Sequence, residues 1–149
     1  MKKFVFNLES VLGLREWEEQ LSRQAFSEAS SKVVELEERI RNVEVESQAV
    51  FENWSKVNSG SFSRNDRLAL ISGADALSQL RAEAESNLEE ANRKRDEAMA
   101  KLSEAIRAKK VVENLKQRRL EEYQAETLRA DTQEIEDIFN ARRKERSVS

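Results

Sequence analysis

The chain has no cysteine, no histidine and no proline, and only three glycines in 149 residues. Without cysteine there is no disulfide, no thiolate nucleophile and no zinc–thiolate centre. Without histidine the commonest general base and metal ligand is missing. Proline and glycine are the usual interrupters of helices and builders of tight turns, so their scarcity points to few turns and long helices. No apolar run approaches the roughly 20 residues needed to cross a bilayer. The opening "MKKFVFNLESVLGLREWEE" starts with two lysines, but Asn7, Glu9 and Arg15 break any signal-like apolar core. A cytoplasmic protein is expected.

Charged residues make up 37% of the chain and hydrophobic ones 38%, with a net charge of only −3. High charge with low hydropathy can mean disorder, but disorder normally brings proline, strong net charge and no apolar period. Here the period is clear. From Phe26 the steps alternate between three and four through Ala29, Val33, Leu36, Ile40, Val43, Ser47, Val50, Trp54 and Val57. A 3.5-residue repeat of this kind is a coiled-coil seam. Leu8, Val11, Leu12, Leu14, Trp17 and Leu21 are expected to join it through a change of phase, a stutter. Gly13 there should cost about 1 kcal/mol against alanine, which a packed seam can offset.

The break comes at "NSGSFSRND", residues 58–66, where Ser63 followed by Asp66 resembles a capping box. A second series follows: Leu70, Ala74, Leu77, Arg81, Ala84, Leu88, Ala91, Arg95, Ala98, Leu102 and Ala105. Gly73 is its weakest point, where a kink is expected. Outer pairs such as Glu37 with Arg41, Glu89 with Arg93, Glu90 with Lys94 and Glu97 with Lys101 each add a few tenths of a kcal/mol. If the chain doubles back, residues whose numbers sum to 124 lie side by side: Trp54 with Leu70, Val50 with Ala74, Leu36 with Leu88, Val33 with Ala91. Large mostly faces small on opposite strands, as dense packing requires. A parallel homodimer would instead stack alanine on alanine along helix two. The expected fold is therefore all-α: one coiled-coil domain over 1–149, an antiparallel two-helix hairpin. Helix one spans about 7–57, the loop 58–66 and helix two about 67–143.

The same register brings Leu12 opposite Val112 and exhausts helix one near Gln117. Helix two continues as a C-terminal overhang through "RRLEEYQAETLRADTQEIEDIFNARRK", carrying Leu120, Tyr123, Leu128, Ile135, Ile138 and Phe139 without a partner strand. An exposed apolar stripe usually marks an interaction surface, although Phe4 and Phe6 could fold over part of it.

Catalysis is not expected. A nucleophile–base pair cannot be built without histidine or cysteine, and a Ser–Lys pair has no motif here. Acidic pairs such as Glu37–Glu38 and Glu121–Glu122 would need a concave, partly dry site, which two helices do not provide. The di-metal bundle pattern needs a histidine three residues after a glutamate. No cofactor or metal is expected. The basic clusters at Arg93–Lys94–Arg95, Lys109–Lys110, Lys116 with Arg118–Arg119, and Arg142–Arg143–Lys144 are interleaved with acids, and the sequence pI is about 5.3. A nucleic-acid footprint would be a basic stripe of high pI, so no nucleic acid is expected. "KKVVENLKQRRLEEYQ" at 109–124 reads instead as a helix flank with Val111, Val112 and Leu115 facing inward. Arg and Tyr beside it suit a protein interface.

"KKFVFNLESVLGLREWEE" at 2–19 resembles the opening signature of the FliJ family of the bacterial flagellar type III export apparatus. "KKVVENLKQRRLEEYQ" with the following "R…E.EDI…R" is similar to that family's C-terminal signature, and spacing and total length match across essentially the whole chain. The resemblance implies a hairpin similar to the stalk part of the ATP synthase γ subunit. It also implies binding to the export ATPase and its regulator, to the cytoplasmic domain of the membrane export-gate protein, and to export chaperones. The protein would be cytoplasmic, peripherally associated with the membrane-bound apparatus, with no direct membrane insertion. Carried over by position, the ATPase-facing residues would be Leu14, Arg15, Trp17, Leu115, Arg118, Arg119 and Tyr123. Those facing the gate would be Val43, Glu46, Val50, Leu77, Leu80 and Ala84. Near the loop, where many family members carry aromatics, this chain has Leu70, Gly73 and Ala74. The alternatives are the related component of a virulence-type injectisome, a peripheral-stalk or structural coiled-coil tether, and a binder of membrane surfaces or nucleic acid.

Overall fold

The computed structural model describes residues 2–57 and 63–148. Two α-helices account for almost all of them: α1, Glu9–Val57, of 49 residues, and α2, Arg64–Val148, of 85. Among the described residues there is no β-strand. The fold is an all-α helical hairpin. α1 starts at Glu9 rather than at about 7, and α2 runs from Arg64 to Val148 rather than from about 67 to 143. It passes through Gly73 as unbroken helix.

Of the expected loop, residues 58–62 lie outside the described residues. The start of α2 is fully described and follows from local chemistry. The Ser63 N–H donates to Asp66 Oδ2 at 3.3 Å, and the Asp66 N–H donates to Ser63 Oγ at 3.1 Å. The Arg67 N–H then bonds to the Ser63 carbonyl at 3.1 Å and closes the first turn. These reciprocal bonds satisfy two of the amides that a helix start leaves without partners.

Contacts gather in two units. The terminal unit holds residues 1–19 and 104–149, the central unit residues 20–103. In the central unit Val33, Leu36 and Ala91 form a buried cluster with Leu88 packed against it. Val33–Ala91 and Leu36–Leu88 are pairs whose numbers sum to 124, the antiparallel register read from the sequence. Val43 and Ala84 are buried in the same unit.

In the terminal unit the buried cluster is Phe6, Leu12 and Val112, with Phe4, Val11 and Leu115 packed against it. Leu12 and Val112 keep the same register. Residues 2–6 form no helix. As in extended chain, alternate side chains face opposite ways: Phe4 and Phe6 are covered, while Val5 is 75% exposed. The strap passes into α1 through a bond from the Glu9 N–H to the Phe6 carbonyl, 3.2 Å.

One expectation about α1 is overturned. No change of phase precedes Phe26. The covered positions there include Leu12, Arg15, Glu19 and Ser22, which continue the alternation of three and four, with Val11 and Glu18 half-covered beside them, while Leu14, Trp17 and Leu21 are exposed. The apolar residues lost to the seam are replaced by polar ones because the facing ladder on α2 keeps its heptad phase. A stutter on one helix alone would put α1 out of step with Ala105 and Val112. The charges of Glu19 and Arg15 also find partners, in Lys109 and Glu18, so keeping step costs less than breaking it.

Candidate interaction surfaces

The polar layer of the terminal unit is built from three residues. Glu19 is only 6% exposed, and a carboxylate that deep needs a cation beside it. Lys109 supplies it, with Nζ 2.5 Å from Glu19 Oε2 and 3.7 Å from Glu113 Oε1. The ammonium is held above its ordinary 10.5, first by the hydrogen bond to Glu19 and further by the charges of Glu19, Glu113 and Glu16, against the opposing effect of burial. Arg15 lies one turn before Glu19 and turns its guanidinium outward to Glu18 at 3.0 Å, leaving its Nε buried without a hydrogen-bond partner. Lys116 joins α2 to the start of α1 through Glu9 at 2.8 Å.

Next to this layer the strap lies along α2. The Phe4 and Tyr123 rings are 5.5 Å apart and tilted by 47°, an arrangement favoured by ring quadrupoles. The Tyr123 hydroxyl donates to the Lys2 carbonyl. Strap and helix leave between them an open groove of about 630 Å³, lined by Lys2, Phe4, Phe6, Leu115, Arg119 and Tyr123 among others. Beyond it α2 continues as helix with Leu128, Ile135, Ile138 and Phe139 exposed. Leu128, Ile135 and Phe139 follow one another at steps of seven and four and so share one face.

The sequence-expected residues of this unit divide accordingly. Leu14 and Trp17 stand out from α1, exposed and not in the seam. Arg118 and Arg119 are exposed on α2, the latter 3.6 Å from Glu122. Leu115, Arg119 and Tyr123 come together on the groove, with Leu115 and Tyr123 half-covered by the strap. Arg15 sits apart from them, in the polar layer.

The central unit contains a different surface. Ser47, Val50, Phe51 and Trp54 on α1 and Leu70, Ile71 and Ala74 on α2 line an open apolar groove of about 320 Å³. Phe51 is 64% exposed and its ring is tilted by 44° against that of Trp54, ring centroids 6.5 Å apart. Ile71 and Leu68 stand out from α2. Of the residues expected to face a gate, Val43 and Ala84 are buried core and so unavailable on this surface. Val50 and Leu77 are half-buried seam, whereas Glu46 and Leu80 are exposed. Phe51 and Ile71 were not singled out from the sequence. The signal was there: each follows directly on a seam residue, Val50 or Leu70, and an apolar side chain flanking the seam widens the apolar face beyond what two helices can cover.

Charge pairs line the outside. Arg81 bridges to Glu44 on α1 and to Glu85 on its own helix, both at 3.0 Å. Its pKa is raised, first by the hydrogen bond to Glu85 and then by the charges of Glu44 and Glu85. Lys94 pairs with Glu90 as expected, but Arg93 pairs forward with Glu97 rather than back with Glu89. Among the described residues no group of acids could hold a metal ion, and no helix is long and apolar enough to cross a membrane.

A family model described as flagellar FliJ protein matches residues 4–147. No curated protein and no solved structure matches the chain. With nearly all of its length covered, the chain belongs to the flagellar FliJ family and is a component of the flagellar type III export apparatus.

Proposed function

We propose that this member of the flagellar FliJ family acts without catalysis, by binding. Its terminal unit engages and stimulates the export ATPase, and its central unit docks on the cytoplasmic domain of the membrane export gate. The ATPase regulator and export chaperones are further partners. The observation that carries the reading is the bare face of α2 beyond the strap, where Leu128, Ile135 and Phe139 are exposed on continuing helix. Contiguous exposed apolar residues are the usual mark of a binding surface, and membership of a flagellar export family supports looking for the partner in the export apparatus. Leu14, Trp17, Arg118 and Arg119 extend that surface, while Leu115 and Tyr123 act through the strap they hold. The influence on ATP turnover would come from binding the assembled ATPase better than its separate subunits, which shifts the population toward assembly.

In the central unit the gate contact is assigned to Phe51, Trp54 and Ile71, with Glu46 and Leu80 at its margin. Truncation after Thr127 tests the first half of the reading. It keeps the Phe4–Tyr123 contact and removes the bare face. Stimulation of the cognate ATPase should be lost while the helical melting transition persists; full stimulation by the truncated chain would refute the assignment. The pair Phe51→Ser and Ile71→Ser should lose capture of the gate domain and keep ATPase stimulation.

A further inference from the structure

The seam of α2 is interrupted by cations at every second heptad: Arg81, Arg95 and Lys109, with Arg67 at the same spacing before them. Under the register seen in both units, their opposite numbers on α1 are Val43 for Arg81, Ala29 for Arg95 and Arg15 for Lys109. A charged side chain in a coiled-coil seam is costly unless it can leave the apolar layer or meet an opposite charge. Arg81 and Lys109 meet an opposite charge on α1, and Arg95 meets one on its own helix. Arg81 leans out to Glu44 and Glu85, and Val43 and Ala84 remain buried beside it. Arg95, which the register sets opposite the small Ala29, has its guanidinium 3.7 Å from Asp96 of its own helix. Lys109 reaches Glu19 on α1, and Arg15 is turned away to Glu18.

Pairing between two copies of α2 would remove the outlets on α1, Glu44 for Arg81 and Glu19 for Lys109, and leave only carboxylates of the same helix, Glu85, Asp96 and Glu113. In a parallel, in-register pair each cation would face itself. In an antiparallel pair centred on Leu88, Arg81 would face Arg95 of the other copy and Arg67 would face Lys109. The seam of α1 between Ser22 and Trp54 carries no charge, so that helix cannot supply the selectivity. We propose that the seam cations of α2 choose its partner: they admit α1 of the same chain and exclude α2 of a second copy. Specificity of this kind comes from what the wrong pairing would bury, as much as from what the right one gains. The consequence is that the bare distal face of α2 stays available to other proteins instead of being zipped into a self-pair.

The test replaces Arg81, Arg95 and Lys109 together by leucine and compares sedimentation equilibrium with that of the unaltered chain. The unaltered protein should sediment at the mass of one chain, and the triple variant at twice that mass or more. Because the chain has no cysteine, Leu88→Cys provides an independent readout. Oxidation should link two copies in the triple-variant background and leave the otherwise unaltered chain single. Circular dichroism establishes that the variant is helical, and Arg95→Leu alone gives a milder form with weaker, concentration-dependent association. A triple variant that stays at single-chain mass and does not cross-link would overturn the proposal, as would self-association of the unaltered protein through Leu88.

Discussion

Two layers of the central unit have the same composition and the same register yet different surroundings. Val33 faces Ala91, and Val50 faces Ala74. In the first, Val33 is 2% exposed and Ala91 6%; in the second, valine is only half-buried and Ala74 is exposed. The pair of residues therefore does not set the burial. What differs is the company. Val33 and Ala91 lie beside Leu36 and Leu88, which close over them, whereas Val50 and Ala74 lie beside Phe51 and Ile71, whose side chains flank an open groove. Large-against-small pairing makes a dense seam only where neighbouring layers roof it. Where they do not, the same pairing leaves a place for something else to fill.

Substitutions can break this contrast. Leu36→Ala should have the largest effect, a loss of about 2–5 kcal/mol, because it opens a cavity in the closed part of the seam. Leu70→Ala, on the groove, should cost clearly less in the same denaturant titration. Enlarging the alanines gives the complementary experiment. Ala91→Leu should destabilise by about 1–3 kcal/mol through overpacking, while Ala74→Leu should be tolerated, since its side chain enters empty space. If both cost the same, the groove is not a real packing difference. Gly73→Ala sharpens the point at smaller scale. A Cβ there meets nothing within 4 Å, so thermal unfolding should show a gain of about 0.5–1 kcal/mol from helix propensity alone.

The smallest effect expected is a pH dependence, and it belongs to the polar layer. Lys109 has its pKa raised by Glu19, so its contribution is fully present below the unfolded lysine value of about 10.4. It is lost as pH rises through the higher folded value. The melting midpoint should therefore fall more steeply at strongly alkaline pH in the unaltered chain than in Glu19→Gln, measured by circular dichroism. Parallel pH profiles would show that the pair contributes nothing beyond packing.

Much of this was legible in the sequence for a physical reason. A heptad seam is a one-dimensional pattern, and two such patterns that complement each other admit few registers; Leu12–Val112 and Val33–Ala91 follow directly. The capping box at Ser63 was equally local. What escaped was whatever depended on partners distant in sequence. Leu14 and Trp17 were apolar and so were placed in the seam, but Glu19 took a seam position because Lys109, far along the chain, neutralises it. Val43 and Ala84 were carried over as contact residues, yet their place in the seam makes them core. Phe51 and Ile71 went unremarked because each is ordinary on its own helix. Only when both helices are present do they frame one groove.

The strap on the terminal unit has a practical corollary. Lys2 is tied by its carbonyl to Tyr123 and lines the groove between strap and helix. An affinity handle or fluorophore attached there would crowd the groove formed with Leu115 and Arg119. A label on the far side of Phe139 would leave that groove clear but burden the bare face. Neutral reporting calls for a site on the outer surface of the central unit, such as the exposed Ser86.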